Sequence, residues 1–439
     1  MKNEKKVFLM VFKQQVRNIF LCILLFFALV LPEVCVRAEE VSPATLAPSE
    51  IHALSAVLMD GESGRVLYDK EGAVKRANAS TTKILTCILT LESCQEDEVV
   101  SVSEYAASMP NVQLGINAGE YYYLRDLLYS LMLESHNDSA VAIAEHVAGS
   151  TQAFAEKMNE KAAQLGCRDS HFITPNGLDA TDEIGFHGTT AQDLARIMAY
   201  CAWNSPMSAR FLELTETRSH SFSNLSQQAD GTYTPGGRSF TCGNRNAYLQ
   251  QDNECITGKT GFTGDAGYCY VCAVDSQGRK FVVALLASGW PNNKNYKWQD
   301  CNKLFAYGRS YYHIREIPQF TEELKEIRIT ESANPTWDLR GEVTSMPYME
   351  ECQGTVLMAD WEHIHASVSY PKEIQADKRG IQTIGEMVIS LEEQPLMTKP
   401  IYVNLPNDKR NLEWYFQSVI RHWTRFSLET DDIMSLWKK

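Results

Sequence analysis

The sequence is poor in three features, and each absence excludes a class of protein. Basic residues are in deficit, with 41 Lys and Arg against 55 Asp and Glu in 439 residues, so nucleic acid is not an expected partner. The uncharged run Ile19–Leu31 is too short to span a bilayer. Histidine and cysteine form no cluster with metal-ligand spacing, so we expect neither a metal nor a cofactor. The composition, 44% hydrophobic and 22% charged, excludes wholesale disorder, collagen and a multi-span membrane protein.

The charge is distributed unevenly along the chain. Residues 1–38 hold six basic and two acidic side chains, whereas the remainder holds 35 and 53. This basic start, its short apolar run and the small residues Val36 and Ala38 predict a signal peptide over residues 1–38, cleaved after Ala38. A retained N-terminal anchor is the alternative. We therefore expect an exported protein at the extracytoplasmic face of the cell membrane or in the cell wall, with a flexible leader over residues 39–50.

Twelve cysteines fall to ten after this cleavage, an even number that permits disulfides in an exported chain. They lie within apolar segments, however, which favours buried free thiols. Cys269 and Cys272 resemble half of a redox or zinc site. Because they are three residues apart on a predicted strand, they should point to opposite faces.

Hydrophobic patterning predicts an α+β fold. Ala56–Met59 and Val66–Tyr68 flank a glycine-containing turn as in a hairpin, helical periodicity follows to about residue 202, and strands return over residues 267–274 and 281–287. Both sets of strands should join one antiparallel sheet with the helical group inserted between them. We assign residues 51–316 to this domain and residues 317–408 to a smaller β-rich domain.

The last segment, residues 409–439, has the pattern of an amphipathic helix. Arginines lie opposite an apolar face made of Leu412, Tyr415, Phe416, Val419, Trp423 and Phe426. Such a helix can lie on a membrane surface. The alternative is a helix docked on its own protein or on a second copy.

Three short motifs carry the chemistry. Ser80-Thr81-Thr82-Lys83 opens an apolar helix, Ser135-His136-Asn137 follows a helix, and Lys259-Thr260-Gly261 comes just before a predicted strand. Each motif is weak alone, but the three in this order and context are a strong signal.

The residue types suit nucleophilic catalysis by a serine. Ser80 and Lys83 are one helical turn apart, so the amine can lie beside the hydroxyl at the positive end of the helix dipole. A lysine acts as a base only when its pKa is depressed, which burial and a second cation, Lys259, would achieve. Ser135 can relay a proton to the leaving amine, and Asn137 can hold the substrate backbone.

The third motif can bind substrate as an added strand. In extended conformation, residues 259–262 can pair with a peptide, and Gly261 permits close approach. The backbone N–H groups of Phe262 and Ser80 can then form an oxyanion hole.

With these motifs the chain resembles the serine-type D-alanyl-D-alanine carboxypeptidases, the low-molecular-mass penicillin-binding proteins, from about Ala53 to Val403. Further matching stretches are Pro175-Asn176-Gly177-Leu178-Asp179, His187-Gly188-Thr189-Thr190-Ala191 and Asn244-Arg245-Asn246. The resemblance implies a β-lactamase/penicillin-binding-protein-like fold. It also implies removal of the terminal D-Ala from peptidoglycan stem pentapeptides through an acyl-serine, covalent inhibition by β-lactams, and membrane contact through the C-terminal helix.

The residues assigned from sequence fall into two groups. Catalysis is assigned to Ser80, Lys83, Ser135, Asn137 and Lys259. Substrate binding is assigned to Thr260, Gly261, Phe262, Arg245 and Lys297. Lys297 stands where the family often places an arginine for the substrate carboxylate, and Arg245 is the competing residue. His136 replaces the usual small residue, so we expect it to narrow the cleft and to add pH dependence.

Three other functions use overlapping features. A D,D-endopeptidase acting on peptidoglycan crosslinks would need the same residues. A class A β-lactamase would need a deacylating glutamate, which is not found in the expected context between Ser139 and Thr190, and would lack a β-rich second domain. A non-catalytic peptidoglycan-binding module would be favoured by loss of Ser80, Lys83 or Lys259, and all three are present.

Overall fold

The computed structural model describes residues 46–339 and 343–436. The predicted signal peptide and the first part of the leader lie outside these residues. The α-helices are α1 Lys83–Ser93, α2 Glu104–Ala107, α3 Leu124–Tyr129, α4 Asn137–Ala148, α5 Thr151–Gln164, α6 Ala191–Ala199, α7 Ser208–Glu216, α8 Tyr248–Gln251, α9 Tyr296–Tyr311 and α10 Leu412–Leu436. The strands are β1 Ser55–Asp60, β2 Val66–Lys70, β3 Val99–Ser101, β4 Tyr121–Tyr123, β5 Ser219–Gln227, β6 Tyr233–Gly243, β7 Cys255–Thr263, β8 Gly267–Ser276, β9 Arg279–Leu286, β10 Tyr312–Glu316, β11 Ile327–Thr330, β12 Val343–Ser345, β13 Thr355–Ala359, β14 Ile364–Ser369, β15 Glu373–Gln375, β16 Gly380–Leu391 and β17 Gln394–Leu405.

A five-stranded antiparallel sheet organises the first part of the chain, in the order β2-β1-β9-β8-β7. The strands β8 and β9 are mostly apolar and buried, because both faces of the sheet are covered. One face packs on the helical group, and the other packs on α9 through Leu304 and Phe305. Cys269 and Cys272 belong to these two opposite core clusters, as the period of a strand predicts.

The α+β prediction is therefore confirmed. The N-terminal hairpin and the later strands share one sheet, and the helices from α1 to α7 are inserted between them in sequence. The sequence did not reveal a second sheet, β3-β4-β5-β6, whose long β5–β6 hairpin is rich in serine, threonine and glycine rather than in alternating apolar residues. The ten described cysteines are all free, and nine of them are buried.

Beyond α9 the chain is mostly β. Small sheets pair β10 with β13, β11 with β12 and β15, and β14 with β16 and β17. The β10–β13 pair crosses the predicted boundary at residue 317, and an ion pair from Arg65 to Glu362 also joins the two regions. The boundaries assigned from sequence stay predictions.

The C-terminal helix α10 begins at Leu412, one residue after the start of helical periodicity in the sequence. One face docks on the loop that follows β11: the Trp414 indole donates to the carbonyl of Asn334, and the Ser418 hydroxyl donates to that of Trp337. The side chain of Phe426 lies outside the described residues. Within the described part of the chain, no helix combines the length and apolar character needed to cross a bilayer.

Candidate active site

A cleft of about 360 Å³ lies between the edge strand β7 and the helical group. Its lining contains residues from all three motifs: Ser80, Ser135, Asn137, Lys259, Thr260, Gly261 and Phe262. Arg245 and Lys297 also line it. The fold thus gathers at one cleft every residue assigned from sequence except Lys83, which lies buried behind Ser80.

Ser80 lies in a 3₁₀ turn, Ala79–Thr82, that leads directly into α1. Ala79 has a positive φ of 48°, a conformation that is strained for a residue with a side chain and is typical of functional sites. The Lys83 amine lies 2.8 Å from Ser80 Oγ, 2.8 Å from Asn137 Oδ1 and 2.7 Å from the carbonyl oxygen of Asn176, so in its neutral form it can donate to the last two and accept from the Ser80 hydroxyl.

The Lys83 side chain is fully buried, and this determines its chemistry. Burial lowers its pKa well below the ordinary value, the positive charge of Lys259 lowers it further, and Asp138 opposes the shift. A neutral amine is therefore held within hydrogen-bond distance of the hydroxyl. Such an amine can accept the hydroxyl proton, as the sequence reasoning required.

The second motif is shaped by the end of α3. A π-turn, Ser130–Glu134, terminates at Ser135, whose left-handed backbone (φ 70°, ψ 33°) turns the chain before α4 begins at Asn137. For a residue with a side chain this conformation costs about 1 kcal/mol or more. In this backbone conformation, Ser135 Oγ accepts a 2.8 Å hydrogen bond from the Lys259 amine across the cleft.

Lys259 lies in the middle of β7, a strand that the sequence indicated only as an extended segment just before β8. Because β7 is the edge of the sheet, one side of its backbone can pair with an extended peptide. A Cβ atom on Gly261 would lie 2.9 Å from the Ser80 nitrogen, so glycine is needed for this close approach. Burial, with a smaller effect of Arg245, lowers the pKa of Lys259 to about 7.

The two candidate carboxylate-binding cations differ in their surroundings. The Arg245 side chain is 59% exposed and forms a 2.5 Å ion pair with Glu134. Lys297 is 7% exposed, donates to the carbonyl of Lys294 and stands 4.5 Å from the centre of the Tyr268 ring. Burial lowers the pKa of Lys297 to about 8.

His136 does not line the cleft, which corrects the expectation that it narrows it. Its ring is buried, with Nδ1 2.7 Å from Ser130 Oγ and Nε2 3.7 Å from Glu134. Burial lowers its pKa despite the two nearby carboxylates, Asp138 and Glu134.

Comparison with known proteins accords with this geometry. The sequence profile of the peptidase S11 family, D-alanyl-D-alanine carboxypeptidase, matches residues 41–288, more than half of the chain. The chain belongs to this family.

Its relatives match over most of their length. The chain is 26% identical to D-alanyl-D-alanine carboxypeptidase DacF of Bacillus subtilis, covering 85% of this chain and 90% of that one. It is 29% identical to DacD of Escherichia coli, covering 80% and 85%. The crystal structure of DacD from Francisella tularensis superposes with a TM-score of 0.61 at 22% identity, covering 84% of this chain and 97% of that one, which supports the shared fold.

In this family member, one acceptor at the cleft has no signal in the residue types. The carbonyl of Asn176 accepts from Lys83, yet any residue at this position would supply a carbonyl. Its loop passes so close to the nucleophile that a Cβ on Gly177, at a φ of 80°, would lie 2.0 Å from the oxygen of Ala79. The resemblance of Pro175–Asp179 to the family indicates that this segment matters. It does not indicate that the Asn176 carbonyl accepts a hydrogen bond from Lys83.

The described residues contain one group of His, Cys and carboxylate side chains close enough to share a metal ion, and it lies outside the cleft.

Proposed function

We propose that this chain is a serine-type D-Ala-D-Ala carboxypeptidase that removes the terminal D-alanine from peptidoglycan stem pentapeptides and that β-lactams acylate at the same serine. The observation that carries the proposal is the 2.8 Å hydrogen bond between the buried Lys83 amine and Ser80 Oγ at the head of a cleft. Family membership supports the same substrate class.

Acylation follows from these contacts. Neutral Lys83 accepts the proton of Ser80 while Oγ attacks the carbonyl carbon of the penultimate D-Ala. The negative charge on the carbonyl oxygen is stabilised by the backbone N–H groups of Ser80 and Phe262. As the intermediate collapses, a proton reaches the amine of the departing D-Ala through Ser135, which Lys259 holds in place. The product is an ester on Ser80 and free D-alanine.

Deacylation uses the same groups in the reverse direction. Water enters the position that D-alanine has left, and a neutral amine accepts its proton as the oxygen attacks the ester carbonyl. Ser80 leaves with a proton and the shortened peptide departs. A β-lactam forms the same ester, but its leaving amine stays tethered to the acyl group and obstructs the water.

The edge of β7 is proposed to hold the substrate peptide as an added strand along residues 259–262. Thr260, Lys297 and Arg245 all line the cleft. We assign the carboxylate to Lys297, because Arg245 is already paired with Glu134. Lys297→Met should therefore raise KM for the pentapeptide more than Arg245→Gln does, and the reverse order would move the assignment to Arg245.

The decisive experiment measures D-alanine released from a D-Ala-D-Ala-ended pentapeptide and, in parallel, labelling by a fluorescent penicillin. Ser80→Ala should abolish both, whereas Ser139→Ala, a change in a buried serine outside the cleft lining, is the matched control for folding. Retained labelling of Ser80→Ala would overturn the assignment of the nucleophile. Labelling without D-alanine release would overturn the carboxypeptidase activity.

We also propose that α10 contacts the membrane on the extracytoplasmic side, where residues 1–38 direct export as a signal peptide. The face of α10 opposite Trp414 exposes large apolar side chains, with Leu412 88%, Phe416 64% and Val419 64% exposed. Burying such a face in a lipid interface is favourable.

Co-sedimentation with phosphatidylglycerol vesicles tests this membrane contact. The double variant Phe416→Asp/Val419→Asp should lose vesicle binding, whereas Glu413→Gln, an exposed substitution on the same helix, should keep it. Binding unchanged in the double variant would refute the proposed contact.

A further inference from the structure

Three side chains that can act as metal ligands lie close together at the C-terminal end of α1, the end opposite Ser80. Cys94 caps the C-terminus of α1, Glu98 ends the turn that follows, and His146 lies in the last turn of α4. His146 is 48 residues from Glu98 in sequence, so the spacing of the residues gave no sign of this cluster.

The geometry suits a tetrahedral metal ion. The thiol sulfur, a carboxylate oxygen and an imidazole nitrogen all lie within 4.8 Å of one another, and His146 Nε2 is 2.9 Å from Glu98 Oε2. Metal–ligand distances of about 2.1 Å in a tetrahedron place neighbouring donors about 3.4 Å apart. The measured His146–Glu98 separation is about 0.5 Å below that value and the other two are no more than 4.8 Å, so small side-chain movements are enough to form the site.

The backbone already holds two of the ligands in position. The Gln95 N–H donates 2.6 Å to Glu98 Oε1, which leaves Oε2 directed at His146. Cys94 is anchored by its own N–H, which bonds to the carbonyl of Thr90 at the end of α1. Cys94 is also the one described cysteine that is not fully buried, so an ion can reach it from solvent.

The electrostatic surroundings favour a cation. The C-termini of α1 and α4, each carrying partial negative charge, converge on the cluster, and Glu98 adds a full charge. Lys157 is the basic group that acts on Cys94 and opposes a cation there. Burial and Glu98 raise the pKa of the Cys94 thiol, so its proton is released to solvent as the ion binds, and the thiolate then joins the carboxylate and the two helix ends in attracting the cation.

We propose that Cys94, Glu98 and His146 bind a Zn²⁺ ion, with water as the fourth ligand. Sulfur, imidazole and carboxylate together select Zn²⁺ over Mg²⁺ or Ca²⁺, which require oxygen ligands. The ion would join the far ends of two helices that pack together and whose near ends carry Lys83 and Asn137. Its role is therefore to stabilise the helical group, and it takes no part in the acyl transfer.

Metal binding by the purified, chelator-treated protein tests this proposal without measuring catalysis. Titration with Zn²⁺ in a calorimeter should show one ion per chain, and Zn²⁺ should raise the thermal unfolding midpoint. Titration with Co²⁺ should give the thiolate-to-metal charge-transfer band and the intense visible bands of a tetrahedral site. Cys94→Ser should abolish the charge-transfer band, and His146→Gln should weaken Zn²⁺ binding by at least about tenfold.

His171→Gln is the matched control, because it breaks a similar histidine–carboxylate pair, His171 to Asp182 at 2.8 Å, that lies outside the cluster. It should leave the affinity for Zn²⁺ unchanged. A charge-transfer band that survives in Cys94→Ser, or the absence of Zn²⁺ binding at micromolar concentrations, would overturn the site. Neither result bears on the labelling of Ser80 by penicillin, so the two proposals fail separately.

Discussion

Replacing Lys259 with methionine should make the protein more stable at neutral and acidic pH while it abolishes acylation. Lys259 is buried against the cleft, and its pKa is lowered from 10.5 to about 7. A lowered pKa means that the folded state binds the proton more weakly than the unfolded chain does. Stability attributable to this side chain is therefore fully present above pH 10.5 and is lost as the pH falls towards 7. Methionine has a similar length and carries no charge.

The size of the effect follows from the shift. One pKa unit corresponds to about 1.4 kcal/mol, so the full cost of the charged amine below pH 7 approaches about 5 kcal/mol. Between pH 9 and pH 6, about 2 to 3 kcal/mol of this cost should develop in the wild type and be absent from the variant. Loss of the hydrogen bonds to Ser135 and to the Thr260 carbonyl costs about 1 kcal/mol each, but this cost is nearly independent of pH and cancels in the comparison.

Urea denaturation followed by circular dichroism, at pH 6, 7.5 and 9, measures the difference in unfolding free energy between Lys259→Met and the wild type. Lys280→Met, which removes a partly exposed lysine of β9 paired with Glu62, is the control and should show a much smaller dependence on pH. A difference for Lys259→Met that is the same at pH 6 and pH 9 would refute the reasoning. Penicillin labelling of the same samples should be lost, because Ser135 no longer receives the lysine hydrogen bond.

Three further predictions concern the surroundings of the cleft. Gly177→Ala should lower both the thermal midpoint and the acylation rate, because the new Cβ would lie 2.0 Å from the carbonyl oxygen of Ala79; unchanged thermal and kinetic measurements would contradict the close approach. Arg245→Gln should raise the pKa of Lys259 by removing a nearby positive charge, so Lys259 should stay charged and hold Ser135 up to a higher pH, and the alkaline limb of the pH profile of penicillin acylation should shift to higher pH. His187→Ala should cost about 2 to 4 kcal/mol in urea denaturation, because the buried, neutral ring bonds a threonine hydroxyl of the nucleophile turn and accepts two backbone N–H groups. A loss below about 1 kcal/mol would show that water replaces the ring.

Local patterns were sufficient to predict the central fold. The strands β1, β8 and β9 are mostly apolar because they are covered on both faces, and this produces a signal that a single sequence carries. The β5–β6 hairpin was missed because its strands are polar and partly exposed, so their pairing depends on neighbours that the sequence does not reveal. The sequence indicates Lys259 only as part of an extended segment, because glycines on both sides interrupt the apolar pattern.

The parts of the cleft that could be predicted are those that act through side chains, and the parts that could not are those that act through the backbone. Ser80, Lys83, Ser135 and Lys259 act through side-chain atoms, so their residue types carry information about their chemistry. The Asn176 carbonyl is held 2.7 Å from the Lys83 amine by the fold alone, and no residue type announces a backbone acceptor. A neutral amine keeps two N–H groups, and this carbonyl and Asn137 Oδ1 can accept both, which leaves the lone pair for Ser80 Oγ at 2.8 Å. The competence of Lys83 as a base therefore depends both on a side chain that the sequence displays and on a carbonyl that only the folded chain supplies.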